Sequence, residues 1–564
     1  MQDKILGLIA RESGINYNQV VSTAELLNND NTIPFIARYR KEKTGGLDEV
    51  QLRQINELLQ FHRKLEERKG EIIRLIDEQG KLTPLLEDDI TNADSLTRLE
   101  DIYRPYRPRR KTRASNARER GLQPLADFLL SFPEGNPEET AQQYITEDVP
   151  SVEAALQGAM DIIAEQGADD AAIRGWVRDY TYKTSIIRTK ARDSEVDSVY
   201  SMYYDYREPV RQLPSHRILA INRGEREEYI KVEIEVERDT ITSRIIERYI
   251  KKDNSPAAEL VKKAIIDGYK RLIEPAVGRD IRNGLTEDAE AQAIVVFSKN
   301  LRSLLLQPPV RGKTVLGADP AFRTGCKWAV VDETGKMLET GVVYPTPPHN
   351  KVEQAELEFA RLVKQYGVEV ITIGNGTASR ETEHFVANFI QKQDNPLSYI
   401  IVNEAGASIY SASELAAYEF PNLDVSERSA ISIARRLQDP LAELVKIEPQ
   451  SIGVGQYQHD INNKILAEKL STVVESVVNY VGVDINTASP ALLSYVSGIN
   501  ATVAENIVKY REENGKFNNR RKLLKVPRLG PKAFEQSAGF MRIADGDNPL
   551  DMTAIHPESY DLTG

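Results

Sequence analysis

Cysteine is almost missing: the 564-residue sequence contains only Cys326, so no intrachain disulfide can form and no CxxC metal cluster exists. Long apolar runs are absent too. No stretch of eighteen or more apolar residues occurs, which excludes an obvious membrane-spanning helix. The start, MQDKILGLIARESG, has an apolar stripe and lacks the core and small-residue cleavage site of a signal peptide. A reducing cytoplasm is the expected location. The six histidines form no HExxH or paired-ligand spacing, so neither a metal nor another cofactor is expected. There is no GxSxG elbow and no GxxxxGK[ST] loop, which argues against a serine hydrolase and a P-loop NTPase. No low-complexity tract and no repeat at a fixed period is visible.

A soluble globular composition remains, with 41% hydrophobic and 28% charged residues. A chain this long divides into several cores. Its net charge of -12 argues against coating nucleic acid with the whole surface, but says little about one face. From Asp48 to about Gln79, Leu52, Ile55, Leu58, Leu59, Leu65, Ile72, Leu75 and Ile76 recur at helical spacing, and Gly80 is a natural stop. Helical patterning continues to about residue 306. One strand pair is expected there, at HRILAINRGE and YIKVEIEVE.

The style changes at QPPVRGK. TVLGADP, WAVVD and GVVYP read as three strands, followed by a helix over Val352–Tyr366 and the strand VEVITIGN. A helix near Glu381, the strand LSYIIVNE and helices through SERSAISIARRL complete the series. The order β-β-β-α-β-α-β-α is that of a ribonuclease H-like fold, since short turns permit the antiparallel strands and helical crossovers the parallel ones. In this fold, two-metal hydrolysis needs three or four converging carboxylates. Asp319 and Glu404 are suitably placed, but the last helix offers Arg428 and Ser429 where an acid is needed, with Asp424 and Glu427 before the inward-facing turn. A degenerate, non-catalytic pocket is expected, and a metal-dependent structure-selective nuclease using Asp319 and Glu404 is the alternative. GNGTASRETEHF reads as a tight strand-to-helix turn rather than a phosphate loop.

After Asp484 come two helix-hairpin-helix patterns, one turning at Gly498, Ile499 and Asn500, the other at Arg528, Leu529 and Gly530. Such hairpins aim backbone amides at phosphate. Asn500 stands where glycine is usual and is expected to take the left-handed conformation there. Lys509, Arg511, Lys516, Arg520, Arg521, Lys522, Lys525 and Lys532 surround them. These residues are candidate backbone contacts to RNA or DNA. A second basic segment, YRPYRPRRKTRASNARER, holds Arg104, Arg107, Arg109, Arg110, Lys111, Arg113, Arg118 and Arg120 with Tyr103 and Tyr106. It reads equally as a phosphate and base-stacking surface or as a loop of buried arginine–carboxylate pairs. Arg38, Tyr39, Arg40, Lys41 and Lys43 read as a solvated helix end.

Several long segments resemble the Tex family: IPFIARYRKEKTGGLDE, LEDIYRPYRPRRKTRA, GADPAFRTGCKWAVVD, IGNGTASRETEHFV, EAGASIYSASELAAYEFP and RRLQDPLAELVKIEPQSIGVGQYQHD. The resemblance implies a multidomain, predominantly α protein with one α/β ribonuclease H-like domain of YqgF type and a tandem helix-hairpin-helix module. The expected divisions are a helical N-terminal region with a helix-turn-helix element (1–190), a mainly helical connection (191–306), the YqgF-type domain (307–440), a helical linker (441–483) and the hairpins (484–545). The resemblance also implies a role in transcription, kinship to a eukaryotic elongation factor, and RNA polymerase as a partner. A protein–protein adaptor for the polymerase is the third functional alternative. Tex-family chains usually continue into a C-terminal OB-fold, and residues 546–564 are expected to begin a truncated C-terminal region. The family's YqgF-type domain is generally held not to cleave, in line with Ser429.

Overall fold

A computed structural model describes residues 2–107, 111–250, 254–394 and 396–562. The chain forms two compact units, one from residues 1–5 and 57–292, the other from residues 6–56 and 293–564.

The first unit is mainly helical. Its centre is the Val152–Asp169 helix, in which residues such as Ala155, Ala159, Ile162 and Ile163 are buried. Gly268 lets the Ala258–Gly268 helix approach it closely, because a Cβ there would lie 2.7 Å from the Ala164 carbonyl oxygen. A π-helical turn, Tyr269–Ile273, follows directly. The buried Arg174 guanidinium donates to Asp101 at 2.9 Å, and Arg178 reaches the same carboxylate at 2.7 Å.

This unit also holds an antiparallel sheet of β1 (Ile186–Ala191), β2 (Asp205–Pro209) and β3 (Ile230–Glu235) in the order β2-β1-β3. The expected strand pair is therefore corrected. HRILAINRGE lies within the Ser215–Arg226 helix, with Ile218, Leu219 and Ile221 buried, and β3 pairs instead with β1. The strands that were missed alternate few apolar residues. Ion pairs tie both to β3: Arg188–Glu235 at 2.8 Å and Lys190–Glu233 at 3.5 Å from β1, and Arg207–Glu235 from β2.

In the second unit, β4 (Val315–Asp319), β5 (Cys326–Val331), β6 (Met337–Val343), β7 (Val370–Gly374) and β8 (Ser398–Val402) form one sheet in the order β6-β5-β4-β7-β8. β4 is antiparallel to β5 and parallel to β7, the ribonuclease H-like arrangement. Leu316 and Ala318 face a core shared with the Val352–Tyr366 and Ser379–Gln391 helices, while Val315 faces the Val425–Gln438 helix. Gly317 sets how close that last helix comes: a Cβ there would sit 2.4 Å from the Ala430 carbonyl oxygen. The same close approach brings Ser429 to the end of β4.

The hairpins occupy the chain between two short parallel strands, β9 (Val483–Asp484) and β10 (Met541–Arg542). Phe35 enters their core, and residues near it are tied to them. Thr32 N–H donates to Gln536 Oε1 at 2.9 Å, Arg38 donates to the Asn479 carbonyl at 3.0 Å, and Arg40 pairs with Glu535 at 2.8 Å. Tyr39 donates to the Ala554 carbonyl at 3.0 Å. Arg38, Tyr39 and Arg40 are thus packing residues rather than a solvated helix end.

Candidate functional site

The hairpins repeat. Ser489 and Asn519 cap the first helix of each unit, accepting from the backbone N–H of Leu492 and Lys522. Val496 N–H donates to Leu493 O and Ile499 N–H to Val496 O; Val526 N–H donates to Leu523 O and Leu529 N–H to Val526 O. Gly498 (φ 77°) and Arg528 (φ 66°) are the left-handed residues, and Asn500 and Gly530 precede the second helices. Every pair is thirty residues apart, a period not visible in the sequence because only apolar anchors and caps keep it.

Two expectations change. Asn500 is extended (φ -99°), and its side chain caps the Ala501–Asn514 helix by accepting from Val503 N–H, so it strengthens the turn as a helix cap. The left-handed position lies two residues earlier, at Gly498 and Arg528. Ile499 and Leu529 are buried core anchors whose amides are already used within the turns.

The cations separate into two groups. Arg520 is buried, donating to the carbonyls of Met541 (2.8 Å), Thr553 (2.7 Å) and Ile555 (2.7 Å) and to the Tyr560 hydroxyl (2.7 Å). Arg511 donates to the carbonyls of Ile485 (2.9 Å) and Ala488 (2.7 Å). Arg520 is corrected to a structural residue, because Nε and both terminal nitrogens donate inside the fold, while half-buried Arg511 spends one terminal nitrogen on its two carbonyls. Lys509, Lys516, Arg521, Lys525, Arg528 and Lys532 are exposed and Lys522 is half-buried. Lys532 reaches Asn31 Oδ1 at 3.2 Å and Glu535 at 3.4 Å, and Lys509 reaches Glu513 at 3.9 Å.

The repeat reveals a charge asymmetry. Arg521, Lys522, Lys525, Arg528 and Lys532 of the second hairpin correspond to Ala491, Leu492, Tyr495, Gly498 and Thr502 of the first. Beside the first hairpin, Glu468 and Glu475 line a cavity of about 480 Å³ that includes Gly498 and Asn500. At these equivalent positions only the second hairpin carries positive charge; on the first, exposed Lys509 lies farther along the Ala501–Asn514 helix.

Much of the other basic segment is spent on ion pairs. Arg104 lies 3.2 Å from Asp169, Arg118 lies 2.8 Å from Glu165, and Arg107 pairs with Glu100 beneath the Tyr103 ring. Burial and Arg68 pull the Arg107 pKa down. Lys111 is exposed, 3.6 Å from Glu119, and Arg113 is exposed with its charge acting on Asp161. Arg109 and Arg110 lie outside the described residues. For Arg104, Arg107 and Arg118 the arginine–carboxylate reading fits.

In the ribonuclease H-like pocket, Asp319 ends β4 opposite Lys327 of β5 and is hydrogen-bonded by Ser429. Burial pushes the Asp319 carboxyl up, partly offset by Ser429 and Lys327. Glu404 follows β8; burial and the Asp319 charge push it up as well, against Arg436 and a hydrogen bond from the Gly376 amide. Arg436 is buried and donates to the carbonyls of Asn403 (2.8 Å) and Ala405 (2.7 Å); burial pushes it down to about 10. Asp424 and Glu427 form a capping box at the start of the last helix. Two carboxylates, a serine and two cations therefore meet here. Among the described residues no group of three or more His, Cys, Asp or Glu side chains could hold a metal ion.

The glycines of GNGTASRETEHF make room for Glu404: a Cβ on Gly376 would lie 1.7 Å from Glu404 Oε1, and one on Gly374 would lie 2.3 Å from Oε2. Gly376→Ala should displace this carboxylate and cost about 1–2 kcal/mol. Thermal melting of Gly376→Ala with and without Glu404→Ala checks this; the loss should shrink when both are present. Asp319 gives a pH prediction. Its folded-state pKa is raised, so the native state holds more protons than the unfolded state above the ordinary Asp range, and stability falls as pH rises through that window. Asp319→Asn should raise the melting temperature at neutral pH and lose that advantage toward pH 4, because the neutral amide carries no such penalty.

Family models match four stretches: the Tex-like protein N-terminal domain (residues 3–77), the Tex central region-like domain (133–297), the Tex protein YqgF-like domain (313–438) and the helix-hairpin-helix motif (478–542). The uncharacterized protein YdcI of Bacillus subtilis is 54% identical over 561 residues, covering 98% of this chain and 78% of YdcI. The chain belongs to the Tex family. Another Tex-family relative is the transcriptional accessory protein Tex of Neisseria gonorrhoeae, 49% identical over 99% of this chain and 74% of its own length. A human relative, S1 RNA-binding domain-containing protein 1, is 38% identical over 95% of this chain and 60% of its own length. The mainly α, multidomain architecture of this Tex-family chain agrees with the resemblance. Among the described residues no helix is long and apolar enough to cross a membrane.

Proposed function

We propose that this protein is a non-cleaving, nucleic-acid-binding accessory protein of transcription that takes the phosphate backbone at its second hairpin. The observation that carries this reading is the exposed cationic group around a left-handed Arg528, against a neutral counterpart thirty residues earlier. The backbone turn presents the strand, and Lys525, Arg528 and Lys532 neutralise its phosphates with little reading of sequence. The transcriptional role follows from the named relative in Neisseria gonorrhoeae. RNA polymerase is the expected protein partner; co-purification that survives nuclease treatment would favour the adaptor reading instead.

Absence of cleavage is supported by the pocket chemistry. Ser429 stands on the last helix where an acid is needed, and Lys327 and Arg436 place positive charge beside Asp319 and Glu404. A metal ion would meet repulsion there. Fluorescence anisotropy with labelled RNA, single-stranded DNA and duplex at two salt concentrations tests the binding. A salt-sensitive affinity is expected, and no binding at low salt would contradict it.

A further inference from the structure

In the first unit, the Ala171–Thr184 and Arg238–Tyr249 helices frame a cleft of about 430 Å³. Ile173 and Ile245 are buried beneath it, and Trp176 is a half-buried wall. The Trp176 ring stacks on Tyr180, one turn along, with centroids 5.4 Å apart and planes 27° from parallel. On the opposite helix Arg244 and Arg248 stand one turn apart with side chains 69% and 57% exposed. Each has an acidic partner and stays exposed: Glu247 forms an ion pair with Arg244 at 3.7 Å, and Arg248 donates to Asp170 at 3.4 Å.

We infer that this cleft is a nucleoside-phosphate site, separate from the hairpins. An apolar floor with an aromatic wall accepts the face of a planar base. Two exposed guanidinium groups on the rim, carried by residues one helical turn apart, match the anionic end of the same ligand, because Arg binds phosphate through a planar fork of donors. Glu247 on that rim can accept from a base amino group or a sugar hydroxyl. The volume lies within the range of about 300–1,000 Å³ that holds small ligands. The ligand is either a free nucleotide or a nucleotide of a strand passing over this unit.

Intrinsic fluorescence distinguishes the two. The chain has two tryptophans, and Trp328 is buried at 2% exposure, so a collisional or stacking quench reports Trp176. AMP, ATP and single-stranded oligoadenylate are titrated in turn. A saturable quench by AMP or ATP assigns a free nucleotide, and a quench by oligoadenylate alone assigns a strand; both support the site. Arg244→Glu with Arg248→Glu, both on the surface, should raise the apparent Kd about tenfold or more. The inference is overturned if no probe quenches, if the double variant binds unchanged, or if Trp176→Phe keeps the signal. Because Trp176 is not part of the hairpins, these outcomes are independent of binding there.

Discussion

Arg528→Gly is expected to stabilise the protein while weakening its grip on nucleic acid. Arg528 holds a left-handed backbone (φ 66°), a conformation that costs a side-chain-bearing residue about 1 kcal/mol and glycine very little. Its counterpart Gly498 occupies the same conformation without that strain. Stability should therefore rise by up to about 1 kcal/mol. Binding should move the other way, because an exposed cation is lost. Combining Arg528→Gly with Lys525→Glu should cost about 2 kcal/mol of binding, roughly a 30-fold rise in Kd. The salt dependence should become shallower by about one to two phosphate contacts. Thr502→Glu, the position equivalent to Lys532, should change Kd by less than about threefold if the first hairpin makes no phosphate contact. Equal losses at the two hairpins would show that both engage the backbone.

A larger stability effect is expected at Arg520. This guanidinium is 1% exposed and gathers three carbonyls and a hydroxyl from residues 541–560, with Asp551 at 3.9 Å. Arg520→Met removes every donor and leaves Asp551 buried beside the gap. Loss of the buried guanidinium takes the countercharge from Asp551 and this donor from the Met541, Thr553 and Ile555 carbonyls, at a cost of about 3–5 kcal/mol. Hydrogen exchange should localise the effect, with amides in the Pro549–Met552 and Pro557–Leu562 turns exchanging faster than in the parent. The neighbouring Arg521 is exposed, and Arg521→Met should change stability by no more than about 0.5 kcal/mol. Similar losses at both positions would contradict the assignment of Arg520 to the fold.

Arg520 and Arg521 also mark what the sequence makes legible. The strand order of the ribonuclease H-like sheet, the Val352–Tyr366 helix and the meeting of Asp319, Glu404 and Ser429 follow from apolar periodicity and known element order. Periodicity cannot tell which of two adjacent arginines points inward, because that depends on carbonyls twenty or more residues away. For the same reason Arg511 reads as a phosphate ligand until its carbonyl partners are seen. The β1–β2 pair is hidden by a different cause, since both strands carry charged side chains that pair with Glu235 of β3 and lack the alternation that marks a half-buried strand. At Asn500 a helix cap and a left-handed turn favour the same residue type, so residue type alone does not separate the two backbones.

The most direct test pairs a native gel with a denaturing gel, using labelled single-stranded RNA, single-stranded DNA and duplex, with and without manganese. A non-cleaving phosphate-binding protein retards the strands at low salt, releases them at high salt and leaves them full length in the presence of metal. Shorter products that require manganese and disappear in Asp319→Asn would contradict it and make Asp319 and Glu404 catalytic.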